Sequence, residues 1–306
     1  MAPWRSITSE LLPHRPLSRG QLDIRWWRLW TAVTCWNEAA LRVWKIFAES
    51  IYVDDMKFLS PRYSSKEIYI RSTDKNRTII SAMSNILGMY GKNDGINIPG
   101  EDYPKDSEWP AGFVPVAIHS VEEHIDFVAN PDLDCNRQDI LWSMANSSSE
   151  LQAFQNRPEV VALLRNLTEN CGDSVDIDNL WIVRDSLLVE RNHYNGTLRE
   201  TNKWFSDDLF DQITTINQQV QLYKNGVFNE KLVIDSLDIG LELKKIRGGP
   251  IFDEINTRMN NKLDCLNKTT KECKWINGLK YYAYSAVVAL LRNLTENCEA
   301  DRLILT

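Results

Sequence analysis

The run Ile68-Tyr69-Ile70-Arg71-Ser72-Thr73-Asp74 ends a short alternating apolar segment on a guanidinium, two hydroxyls and a carboxylate. A strand end in an α/β protein is a common place for a ligand pocket. A guanidinium fixed there offers paired, planar N–H donors that match the oxygens of phosphate or carboxylate. Arg71 is therefore the candidate anion ligand of this chain. The structural alternative is an ion pair, with Asp74 or with a carboxylate across a cleft. Arg77, six residues on, is read as structural, holding the segment to its own domain.

Covalent chemistry on a bound anion also needs a nucleophile and a proton donor. The chain has four histidines, at His14, His119, His124 and His193. His119 lies in the strand-like run "PVAIHS" and is expected to be structural. His124, in "VEEHID", fits a solvated helix face, and His193 a surface position. His14, in "LPHRPL", is a remote candidate for catalysis. Asp132 and Asp134 in "PDLDC" suit a turn leading to Cys135 better than a metal site. No metal and no other cofactor is expected.

Around these residues the pattern alternates between strand and helix periods. "EIYIR" and "FVPVAIHS" are predicted strands, and Ser81 to Tyr90 a helix. After the turn at Pro131–Cys135 comes a long helical stretch. Its apolar stripes are Val160/Leu163/Leu164/Leu167 and Leu180/Val183/Leu187. Helices are predicted over Phe210–Tyr223 and up to a stop at Gly248-Gly249-Pro250, then over Ile251–Leu263. A cysteine-bearing loop and the aromatic strand "KYYAYS" follow. The fold class expected is α/β, a mixed sheet flanked by helices with an inserted helical cap. The core is placed at 51–135 and 236–306, the cap at 136–235. The segment 1–50 stands apart.

That first segment carries seven Arg/Lys against four Asp/Glu and six of the eleven tryptophans, in a chain of net charge −7. Its Trp26–Trp44 stretch suits either a membrane-surface helix or a segment outside the main fold. Arg25 and Arg28 break the apolar run a secretion signal needs, so no signal peptide is expected. No stretch reaches the roughly 20 apolar residues of a membrane span, and the acidic balance argues against a nucleic-acid partner. Six Asn-x-Ser/Thr sequons, at Asn76, Asn146, Asn166, Asn195, Asn267 and Asn293, and an even count of six cysteines point to an oxidising exterior; chance sequons and buried thiols are the alternative. "VVALLRNLTENC" occurs twice, at Val160–Cys171 and Val287–Cys298. Twelve identical residues in unlike contexts look like a recent duplication or a mis-joined exon, not a structural repeat.

The segment Arg71-Ser72-Thr73-Asp74, with Arg77-Thr78 and Ser81-Ala82, resembles the "RSTDxxRTxxSA" segment of the histidine acid phosphatases of lysosomal and prostatic type. The likeness is collinear. "YVDDMKFLS", Trp109-Pro110 with "PVAIHS", "PDLDC", "NRQDILW", "DNLWIVRDSLLVERNH", "GGPIFDEINTRM" and "KYYAYSA" follow in family order from about residue 51 to 286. The resemblance implies phosphomonoester hydrolysis at acid pH without metal. In it, an Arg-His-Gly histidine becomes phosphohistidine, arginines hold the phosphoryl oxygens, and a His-Asp pair completes the site. Arg71 corresponds to one of those arginines. Also implied are an extracellular or lysosomal location and a possible homodimer.

The chain departs from this pattern at two places. No Arg-His-Gly occurs in it, and "YYAYSA" runs into Val287-Val288 where the family has His-Asp. Valine neither transfers a proton nor binds a phosphate oxygen. The expectation is a member of this family without turnover as written. The alternatives are a non-catalytic anion-binding protein and an incomplete gene model of an active enzyme.

Overall fold

The computed structural model describes residues 51–91, 95–110, 113–193 and 202–286. They form a mixed α/β protein. Three strands, β1 (Ile68–Thr73), β2 (Ile118–Val121) and β5 (Tyr281–Ser285), make a parallel sheet in the order β2-β1-β5. A separate antiparallel pair joins β3 (Val233–Ile234) to β4 (Leu237–Asp238). The helices are α1 (Asn76–Tyr90), α2 (Asn136–Asn146), α3 (Ser149–Gln155), α4 (Pro158–Cys171), α5 (Leu180–His193), α6 (Asp207–Lys224), α7 (Ile239–Asp264) and α8 (Lys271–Gly278).

The described chain divides into two compact units. One comprises Gln155–Asn217; the other comprises residues 51–154 and 218–286. In the smaller unit α4 buries Val160, Leu163, Leu167 and Cys171, and α5 buries Leu180, Val183 and Leu187. Both stripes follow the three-and-four spacing of one helical face. Gly172, in the left-handed region at φ 72°, ends α4.

In the larger unit the period-2 alternation of β1 sends its residues to two different layers. Ile68 and Ile70 pack with Leu59, Ala82, Ile86, Met89 and Tyr90, so α1 covers that face. Tyr69 and Arg71 point the other way. The turn from β1 into α1 is tight: Thr78 Oγ1 lies 3.0 Å from the Thr73 carbonyl and 2.8 Å from that of Lys75. Helix α1 therefore begins at Asn76, five residues before the expected Ser81.

Two expectations about elements are corrected. In "FVPVAIHS" only Ile118–Val121 is strand. Pro115 has no N–H to donate to a ladder, and the pairing with β1 begins only at Ile118. The stop expected at Gly248-Gly249-Pro250 does not occur, and α7 runs through it for 26 residues. An interior proline costs about 3 kcal/mol in an isolated helix. Here the buried stripe Ile239, Gly240, Leu243, Arg247, Gly248, Ile251 spans the break and keeps the two halves in line. Arg247 anchors its centre, donating to Asn225 Oδ1 (2.9 Å) and Asp132 Oδ1 (2.8 Å). Asp132 is thus an ion-pair partner of Arg247.

The start of α7 is capped by Asp238, whose carboxylate accepts from Leu241 N–H at 3.0 Å. Replacing it by alanine, D238A, is expected to cost about 1 kcal/mol, read as a lower urea midpoint at unchanged slope. An unchanged midpoint would show that the cap is not needed once α7 is packed.

Candidate functional site

Arg71 lies in β1 with its Cα opposite His119 of β2 and Tyr284 of β5. Both neighbours run parallel to it, so all three strand ends leave the sheet on the same side. The face shared by Tyr69 and Arg71 carries a row of rings. His119 stacks on Tyr69 (4.3 Å between centroids, 2° apart in plane), and Tyr69 stacks on Tyr282 at 4.8 Å. Arg258 from α7 lies 3.9 Å over the Tyr282 ring, a cation–π contact.

Next to this row the Arg71 guanidinium is held by two carboxylates from distant parts of the chain. Its Nη2 donates to Asp126 Oδ1 at 2.8 Å, and its Nη1 donates to Glu254 Oε2. Asp126 sits in the loop after β2 with its side chain 1 % exposed; Arg71 is 11 % and Glu254 15 % exposed. Asp126 Oδ1 also accepts from Ala129 N–H at 3.0 Å, which fixes the loop. Glu254 is a hub. Its Oε1 accepts from Arg258 Nε (3.0 Å) and Nη2 (2.8 Å) and from the Tyr284 hydroxyl (2.9 Å).

Two guanidinium groups thus face two carboxylates, and the formal charges cancel. Burial pushes the Glu254 carboxyl up, but hydrogen bonds from Arg258, Arg71 and Tyr284 outweigh it and leave the group below its ordinary value. Burial and the Glu254 carboxylate together push the Tyr284 hydroxyl up to about 12. A guanidinium has five N–H donors, and the two carboxylates take two of them. One N–H on each terminal nitrogen of Arg71 is left, while Nε is buried without a partner among the described residues. The clamp fixes the plane of the guanidinium and leaves donors for an oxyanion.

Beside the clamp a cavity of about 10 Å³ is lined by Thr73, Asp74, Lys75, Glu123, Asp126 and Asn130. It has room for a single water but not for a phosphate. An anion reaches Arg71 only through the small exposed part of the side chain.

Of the alternatives for Arg71, an ion pair with Asp74 is not formed; carboxylates across the sheet end take its place. No local pattern marks Asp126, which comes from an irregular loop. Glu254 and Arg258, four apart on α7, carried a helix-pair signal. His119 belongs to the ring row, and His124 is exposed beside Glu122 at 3.5 Å. Ser285 is the last residue of β5 and donates to the Thr78 carbonyl at 2.8 Å. His14, the His193 side chain, Val287 and Val288 lie outside the described residues. Among those described, no group of three His, Cys, Asp or Glu is placed to hold a metal.

The family model for the histidine phosphatase superfamily, branch 2, matches residues 44–287, most of the chain. The chain belongs to that superfamily. "Putative acid phosphatase 10" of Caenorhabditis elegans is 31% identical over 237 residues, covering 76% of this chain and 56% of that protein. The lysosomal acid phosphatase of Xenopus laevis is 26% identical over 231 residues, covering 75% and 46%. The prostatic acid phosphatase of Bos taurus is 27% identical over 207 residues, covering 67% and 47%. The chain spans about half the length of the curated relatives it matches. Branch 2 of the histidine phosphatases is thus the setting of the RSTD segment and its clamped arginine, as the sequence likeness implied. No described helix is long and apolar enough to cross a membrane.

Proposed function

We propose that this chain binds inorganic phosphate or a phosphomonoester at Arg71 and does not turn it over. The supporting observation is the clamp. Asp126 and Glu254 hold Arg71 near the end of a parallel strand, with one N–H on each terminal nitrogen left over among the described residues. The family reaction, phosphomonoester hydrolysis through phosphohistidine, needs a nucleophile and an acid that these 306 residues do not supply in the family motifs. We assign residues 136–235 to the helical cap and residues 51–135 and 236–306 to the core. An extracellular or lysosomal location, with glycosylation, agrees with the lysosomal and prostatic relatives and with the Cys265–Cys273 disulfide. The homodimer implied by the likeness is read by sedimentation.

The exact dodecamer repeat favours a second reading. It stands in place of His-Asp, as a mis-joined exon would. Sequencing the transcript across codons 1–50 and 285–298 decides between the two.

Phosphate binding is tested with R71K. Lysine keeps a positive charge beside the two carboxylates but lacks the fork. Phosphate is expected to raise the melting temperature of the native chain, and R71K to need about tenfold more phosphate for the same rise. Equal phosphate dependence in both proteins would place the anion elsewhere.

A further inference from the structure

We infer that Asn267 is the N-glycan acceptor among the four described sequons. This inference rests on the secretory reading above.

Transfer of a glycan requires the Asn amide and the hydroxyl two residues on to be presented together to the transferase. The amide nitrogen attacks C1 of a lipid-diphosphate-linked oligosaccharide. The new N–C bond replaces the C–O bond, the amide loses one proton, and the lipid diphosphate leaves. Residues i and i+2 of a helix do not face each other, so a sequon inside a helix cannot present both groups.

Three of the described sequons fail this requirement. Asn76 opens α1, and the Thr78 hydroxyl is buried against the Thr73 and Lys75 carbonyls. Asn146 ends α2, and the Ser148 hydroxyl is committed to Leu151 N–H at 3.3 Å. Asn166 lies inside α4, where its side-chain oxygen accepts from Asn170 and the Thr168 hydroxyl accepts from Val175 N–H at 3.0 Å. In each, the hydroxyl the transferase must engage already holds the fold.

Asn267-Lys268-Thr269 is different. It lies between α7 and α8, outside helix and strand, with all three residues exposed. Asn267 has φ 65°, a left-handed turn conformation that asparagine tolerates. The Cys265–Cys273 disulfide closes the loop that carries it, and Lys262 Nζ, donating to the carbonyls of Ile276, Asn277 and Leu279, ties α7 to the end of α8. The sequon is therefore displayed on a fixed loop. Met259 and Leu263 of α7, with Leu266 just past its end, are apolar and exposed, at 62 %, 62 % and 54 %. A glycan at Asn267 would screen that surface.

The test is secretion of the full chain, behind a supplied cleavable leader, from a eukaryotic cell. Peptide N-glycosidase digestion in heavy-oxygen water then marks each occupied Asn for mass spectrometry. Occupancy at Asn267 is expected to exceed that at Asn76, Asn146 and Asn166, and both N267Q and T269A should lose one glycan increment on a gel. Because the leader is supplied, the natural destination of the chain does not enter the result. An unmodified Asn267 peptide, or higher occupancy at any of the other three, overturns the assignment.

Discussion

Purified protein of this sequence, offered p-nitrophenyl phosphate at acid pH, is expected to release no more product than a blank. The family route forms and breaks a covalent phosphohistidine, and neither Arg-His-Gly nor His-Asp occurs in the chain. Removing a catalytic nucleophile costs about six powers of ten in turnover, or about 8 kcal/mol of transition-state stabilisation. The arginine clamp does not replace it. Arg71 stabilises charge on phosphoryl oxygens but has no lone pair to attack phosphorus. The double replacement V287H/V288D should stay inactive, since it restores the acid but not the attacking group. Adding an N-terminal strand with Arg-His-Gly should bring back part of the rate. A burst of product with trapped phosphohistidine in the unaltered chain would overturn this reading, as would turnover by V287H/V288D alone.

How far the site was legible depends on where each residue comes from. Arg71 was legible because strand alternation and the RSTD segment coincide at one place in the chain. The rings of "KYYAYS" were legible as a strand, though not as a row with His119 and Tyr69, since strand order is not written in local pattern. Asp126 and Glu254 lie 55 and 183 residues from Arg71. Their pairing exists only after the sheet and α7 have formed. The same applies to α7, where Gly248-Gly249-Pro250 carries a strong local stop and the buried face on both sides overrides it. Local chemistry proposes breaks, and packing decides which of them are used.

Glu254 is the residue whose loss should be felt most in the larger unit. Replacing it with leucine, E254L, leaves Arg71 with one carboxylate, Arg258 with none of its present charge partners, and the Tyr284 hydroxyl without its acceptor. Breaking a buried ion pair costs about 3–5 kcal/mol, and partial exposure of this cluster lowers the expected loss to about 2–3 kcal/mol. The pH dependence separates charge from packing. The folded-state pKa of Glu254 is depressed, so its contribution is present above the unfolded value and is lost as pH falls through the folded one. Glu67 and Asp102 have depressed values too and add slopes of the same sign. The comparison that isolates Glu254 is therefore the difference between native protein and E254Q. That difference in urea midpoint should hold steady above the carboxylate range, about pH 5, and shrink steadily below it. Two curves that stay parallel down to the acid end would mean that Glu254 does not hold Arg71 by charge, and the clamp would have to be assigned to Asp126 alone.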